Sequence, residues 1–158
     1  MTTSITTFLT YDTQAAEAAA LYTSLFDGKI VETMRYPAGG PMAEGSVLSV
    51  TFQLLGQTYI ALNGGPTFTF SQGFSLMVQV DTQAEIDRLW QKLTENGGKA
   101  VQCGWLVDKF GVSWQIVPRQ LGAMLSDKDR AKSGRAMQAM MTMQKLDLAK
   151  LQTAFDGV

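Results

Sequence analysis

The side chains of this 158-residue sequence that could carry chemistry form a short set, and histidine is not among them. Without imidazole there is no His general base, no Ser-His-Asp triad, no Cys-His pair and no imidazole zinc site. What remains is one thiol and a few carboxylates, amides and indoles. Cys103 could be a nucleophile, but it lacks a His to activate it and lies in a strand-like run, where a thiol is usually an inert core group. Asp108 could serve as a general base, or it could open an Asp108-Lys109-Phe110-Gly111 turn by bonding its own backbone. Asn63-Gly64 could orient a ligand from a strand end or simply form a turn. Trp105 and Trp114 could stack on an aromatic ligand or pack against neighbouring apolar groups. Glu44 sits in a Gly- and Pro-rich stretch, where a solvated carboxylate is the ordinary outcome. Gln115 is the best candidate to face a cleft, with a hydrogen-bonded core amide as the alternative.

The chain that must position these groups is of ordinary single-domain size. It is 46% hydrophobic and 17% charged, and a chain of this length buries roughly 70% of its unfolded surface without needing disulfides or a metal. Thirteen Lys and Arg against fourteen Asp and Glu leave a net charge of −1, which offers little attraction to nucleic acid or to anionic membrane. A single cysteine cannot form an intrachain disulfide and fits a reducing compartment. Residues 1–6 lack the basic start and apolar stretch of a secretion signal, and no window approaches a membrane-spanning length. The expectation is a soluble, cytoplasmic protein.

An internal repeat organises the first three-quarters of the chain. Asp12-Thr13-Gln14-Ala15 recurs as Asp81-Thr82-Gln83-Ala84, each copy following an apolar run and opening a segment of helical spacing. Ala18, Leu21, Tyr22, Leu25 and Phe26 mark the first helix; Ile86, Leu89, Trp90 and Leu93 mark the second. Thr82 and Glu85 have the spacing of a capping box. Gly28 and Gly97 stand at the two helix ends. Strand patterns follow each helix: residues 29–35, 47–55 and 59–62 in the first copy, and 100–103, 105–108 and 112–117 in the second. Each half therefore reads β-α-β-β-β, an α+β pattern, and pairing two halves gives a curved mixed sheet with a concave surface. By strand alternation Gln115 faces that surface while Trp114 and Ile116 face away. The same reasoning makes Thr7 and Leu9 candidates on the first strand, with Asn63 at the mouth.

After Pro118 the character changes. Residues 119–158 hold five of the nine methionines and carry seven Lys and Arg against four Asp and Glu. Ser126 and Asp129 suit helix starts, Met137, Met140 and Met141 share one side of the following helix, and Leu148, Leu151 and Phe155 continue the pattern. This predicts a helical extension of two or three helices, covering either the domain's own core or a second subunit.

With two β-α-β-β-β copies in place, the sequence resembles the PhnB-like branch of the vicinal oxygen chelate superfamily, the group of glyoxalases, bleomycin-resistance proteins and extradiol dioxygenases. Leu25-Phe26 ahead of Lys29-Ile30-Val31, the run Ala61-Leu62-Asn63-Gly64-Gly65-Pro66, and above all the Trp-rich stretch from Cys103 to Pro118 carry the resemblance. It implies a glyoxalase/bleomycin-resistance fold over residues 1–118, with modules at about 4–66 and 73–118, and the extension over 119–158. It also implies a homodimer, because members commonly cover exposed sheet with a second chain.

Superfamily enzymes typically hold a divalent metal on the concave face through His, Gln or Glu. In this sequence Gln115 stands where a carboxylate ligand would be, Thr7 lies near a His position, and Phe74 or Ser75 lies near its counterpart. A lone neutral amide holds a divalent ion weakly, so no metal and no cofactor is expected. Members of this branch often carry a demethylubiquinone methyltransferase label. The Gly pairs here have no G-x-G spacing between a strand and a helix, so no Rossmann-type methyltransferase motif is present. The expected function is binding of a small organic ligand in a metal-free cleft, using Gln115, Thr7, Leu9, Asn63 and Trp105, as in the sequestering proteins of the superfamily. A lyase or isomerase acting through Gln115, Thr7 and Asn63, with or without a carboxylate, is the enzymatic alternative, and a ligand-free structural or regulatory dimer is a third.

Overall fold

The computed structural model describes residues 2–158. The chain divides into two compact units, Met1–Thr69 and Phe70–Val158. In the first, the order is β1 (Thr7–Tyr11), α1 (Ala15–Leu25), β2 (Lys29–Arg35), β3 (Val47–Leu54) and β4 (Gln57–Asn63). In the second it is β5 (Leu76–Val80), α2 (Gln83–Thr94), β6 (Lys99–Ala100), β7 (Trp105–Val107), β8 (Ser113–Pro118), then α3 (Arg119–Leu125), α4 (Arg130–Met141) and α5 (Leu148–Asp156). Each unit builds a four-stranded mixed sheet, ordered β1-β4-β3-β2 and β5-β8-β7-β6. The first strand pairs in parallel with the last, and the remaining neighbours are antiparallel. The α+β pattern of two β-α-β-β-β modules with a helical extension is therefore present.

The repeated Asp-Thr-Gln-Ala does not cap its two helices in the same way. In α2, the Thr82 hydroxyl accepts from the Glu85 backbone N–H, and the Glu85 carboxylate accepts from the Thr82 backbone N–H. The Thr82 hydroxyl and the Asp81 backbone hold the Glu85 carboxyl below its ordinary range. In the first copy the residue at the position of Glu85 is Ala16, so no such box can form. The acceptor comes instead from β4, where Asn63 Oδ1 takes the Ala15 N–H at 2.9 Å.

The two helix ends do match. Asp27 and Asn96 adopt left-handed conformations with φ of 48° and 57°, which short polar side chains tolerate best after glycine. Gly28 follows Asp27, where an added Cβ would lie 2.4 Å from the Gln53 carbonyl oxygen.

The extension packs within the second unit. Leu121, Met124, Ala136, Leu146 and Leu151 form a buried cluster, flanked by Val117, Met140, Met143 and Phe155. Burying a side chain the size of Leu146 or Leu151 stabilises by about 2 kcal/mol. Helix α4 starts at the Asp129 cap, whose carboxylate accepts from the Ala131 and Lys132 backbones. Its three methionines do not share one environment as the spacing suggested. Met140 packs on the cluster behind Ser133 and Ala136, while Met137 and Met141 are exposed. Gln83 fastens the extension to α2. Its amide donates to Leu146 O and Asp87 Oδ1 and accepts from Leu148 N. Two further bonds run from Cys103 N to Met143 O and from Gly104 N to Gln144 O.

Candidate functional site

In the second unit the strands alternate sharply. Trp114 and Ile116 are fully buried on β8, and Leu106 is fully buried on β7. Helix α2 packs on these two strands, presenting buried Ile86, Leu89 and Leu93. Gln115 lies on the other face, as its position in the alternation predicts. The register sets it between Met77 of β5 and Trp105 of β7. Met77 is 55% exposed, and Trp105 and Gln115 are half-buried. Gln115 Nε2 donates to Ser75 Oγ at 2.9 Å, so two of the positions singled out in the sequence meet directly. The Gln115 carbonyl oxygen remains open among the described residues.

Asp108 takes the turn role. It is 2% exposed, and its Oδ1 accepts from the Phe110 and Val112 backbones. Its Oδ2 accepts from Trp114 Nε1 at 2.9 Å, a bond that sequence spacing alone did not suggest. Trp114 is thereby a packing and anchoring residue rather than a stacking platform. Cys103 is half-buried, on a turn where it and Gly104 both have positive φ.

In the first unit two expectations need correction. Thr7 pairs with Tyr59 and Leu9 with Ala61 on β4. Tyr59 is opposite Phe52 on β3, and Phe52 meets Tyr22 of α1 with ring centroids 6.2 Å apart. Thr7 and Leu9 therefore lie on the α1 side of the sheet, and Leu9 is 1% exposed. The residues on the helix-free face of β1 are Phe8 and Thr10, which correspond in the repeat to Met77 and Gln79. Residues 7–11 alone offer no alternation of polar and apolar side chains that sets their parity. The spacing of 69 residues between the copies, which aligns Phe8 with Met77, carries the correct parity.

Asn63 is not at a mouth. It is buried, its Oδ1 caps α1, its Nδ2 donates to Val47 O, and its backbone carbonyl accepts from Tyr36 Oη. Its amide ties the start of α1 to the start of β3. Glu44 is exposed.

A divalent metal does not fit this donor set. Around Gln115 stand a hydroxyl, a thioether and an indole, and hard cations need several anionic or carbonyl oxygens. No cluster of three or more His, Cys, Asp or Glu able to hold a metal occurs among the described residues. Gln115, Ser75, Met77 and Trp105 also hold no proton that titrates near neutral pH. They can accept or donate neutral hydrogen bonds, stack and exclude water.

Residues 3–117 match the family described as 3-demethylubiquinone-9 3-methyltransferase. A PhnB protein from Bacillus cereus with the same methyltransferase description is 40% identical. Its match covers 73% of this chain and 99% of that one, with a TM-score of 0.67. The fold is shared at TM-score 0.50 with the fosfomycin resistance protein FosX from Listeria monocytogenes, at 10% identity over 75% of this chain and 93% of that one. It is shared equally with a glyoxalase/bleomycin resistance protein/dioxygenase family enzyme from Burkholderia phytofirmans, at 14% identity over 71% and 96%. No protein of curated function matches the sequence. Each sheet here contains one parallel pair, so neither offers the switch point of a doubly wound parallel sheet at which a Rossmann-type methyltransferase binds its cofactor. The chain belongs to the PhnB-like family described as 3-demethylubiquinone-9 3-methyltransferase and has the glyoxalase/bleomycin-resistance fold, and the methyltransferase in the family's description is a name rather than an activity this fold displays.

Proposed function

We propose that this protein binds a small, uncharged or weakly polar organic molecule on the helix-free face around Gln115. The observation that carries this reading is the half-buried Gln115 amide, fixed by Ser75 on its donor side and open on its acceptor side, between Met77 and Trp105. An amide held in one orientation selects a donor on the ligand, and the flanking thioether and indole supply apolar contact. Sequestration without chemistry is favoured over a lyase or isomerase activity because these groups offer no acid or base near neutral pH. Native mass spectrometry of freshly purified protein identifies a carried ligand, and thermal-shift titration measures its affinity. Gln115→Ala is expected to weaken that affinity about tenfold, the size of one lost buried hydrogen bond. An unchanged affinity places the ligand elsewhere.

The protein is further proposed to act as a cytoplasmic homodimer, with residues 1–118 as the ligand-binding part. Large apolar side chains exposed in both units support self-association, among them Phe8, Val31, Met34, Phe74 and Met77. The free thiol at Cys103 suits a reducing compartment. Light scattering at micromolar concentration is expected to give twice the chain mass of 17.2 kDa. The single-chain mass overturns the dimer.

No helix among the described residues is long and apolar enough to cross a membrane.

A further inference from the structure

The extension after β8, beyond the family region that ends at residue 117, builds a feature together with α2 of that region. Between α2 and the α4–α5 connection lies a surface depression of about 500 Å³, within the size range of small-molecule sites. Gln83 and Asp87 line it from α2, Thr142, Lys145 and Asp147 from the connection, and Lys150 from α5. Met143 adds an apolar wall. Gln83 fixes the geometry of the walls, because its amide bonds Asp87, Leu146 and Leu148 together.

The lining holds two ammonium groups and two carboxylates. Lys145 Nζ lies 2.6 Å from Asp87 Oδ1, and Lys150 Nζ lies 3.7 Å from Asp147 Oδ2. Lys145 and the Gln83 amide hold the Asp87 carboxyl below its ordinary range. The second pair is loose and its lysine is 76% exposed, so opening it costs little. A multiply charged anion such as a phosphate ester would meet both carboxylates. A hard cation would meet both ammonium groups. The chemistry that complements alternating charges around an apolar wall is a short molecule carrying one ammonium and one carboxylate.

We propose that this depression, built by Gln83, Asp87, Lys145, Asp147 and Lys150, binds a small zwitterion of the amino-acid or dipeptide class. Its carboxylate lies against Lys145 and Lys150, and its ammonium group against Asp147 and Asp87. The site is separate from the Gln115 face and does not depend on the reading of that face.

The test uses the full-length, ¹⁵N-labelled chain titrated with L-alanyl-L-alanine, with its N-acetylated and C-amidated forms as single-charge controls. The dipeptide is expected to give saturable shifts in the backbone amides of residues 142–148, with a dissociation constant of about 1 mM or tighter. Each control is expected to bind at least about tenfold more weakly. Asp147→Asn keeps the α5 cap, since Asn accepts the same Lys150 N–H bond, and Lys150→Gln alters an exposed side chain. Both should retain the melting temperature and weaken dipeptide binding about tenfold. Gln115→Ala should leave it unchanged. The proposal is overturned by an absence of saturable shifts at about 10 mM dipeptide, by equal binding of the blocked forms, or by unaffected binding in both charge variants.

Discussion

Asp108→Ala is expected to lower the melting temperature by about 10 °C, the largest single effect in the molecule outside its apolar core. Three donors converge on this one buried carboxylate: the Phe110 and Val112 backbones and the Trp114 indole. Two of these bonds are buried, and each buried donor left unpaired costs about 1–3 kcal/mol, so the combined loss is about 4 kcal/mol. At 2–4 °C per kcal/mol for a chain of about 150 residues, that gives the stated shift. Asp108→Asn separates the two roles of the side chain. Its carbonyl can still accept from the turn, but its NH2 then confronts the Trp114 N–H, and about half the loss should remain. Thermal unfolding followed by near-ultraviolet circular dichroism reads both stability and the Trp114 environment. A melting temperature within about 2 °C of the parent for Asp108→Ala would show that the turn and the indole are held by other contacts.

Gly104→Ala is expected to release the start of the α4–α5 connection while leaving the sheets intact. Gly104 has φ of +85°, and an added Cβ would stand 2.9 Å from Leu146 Cδ1 and 3.0 Å from Ile116 O. The left-handed backbone costs a non-glycine residue about 1–2 kcal/mol, and displacing a fully buried leucine raises the total to about 3 kcal/mol. The strain falls where the Cys103 and Gly104 amides donate to Met143 and Gln144. Hydrogen exchange at the Cys103, Gly104 and Leu148 amides should therefore accelerate about a hundredfold, while Val78 changes less. Equal acceleration at all these amides would mean that the extension and the sheet open as one unit, contrary to this expectation.

Much of this architecture is legible in the sequence because repetition supplies a second reading of each signal. The Asp-Thr-Gln-Ala copies locate both helices, and the alternation in residues 113–118 places Gln115 opposite Trp114 and Ile116. Strand β1 is harder. Phe8, Leu9 and Tyr11 are apolar or aromatic on both faces, so the strand's own pattern does not set its parity; the repeat with β5 carries it, and pairing with β4 puts Leu9 under α1. Asn63 is harder still, because its partner Ala15 is 48 residues away and the bond exists only once β4 lies beside β1. The same limit hides the Asp108–Trp114 bond and the mixed-charge depression. Each depends on side chains brought together by packing, for which no local pattern stands.

The pairing of first strand with last has a consequence for synthesis on the ribosome. In the first unit β4 is interior, with β1 on one side and β3 on the other, and Thr7 meets Tyr59 across that junction. A nascent chain that has exposed β1, α1, β2 and β3 holds a β2–β3 hairpin and a helix, but β1 has no strand to join. The sheet can close only as residues 57–63 emerge, and at that moment β1 docks and Asn63 caps α1 together. Folding of this half is thus a late, abrupt step in its own translation, able to finish before the second half is made.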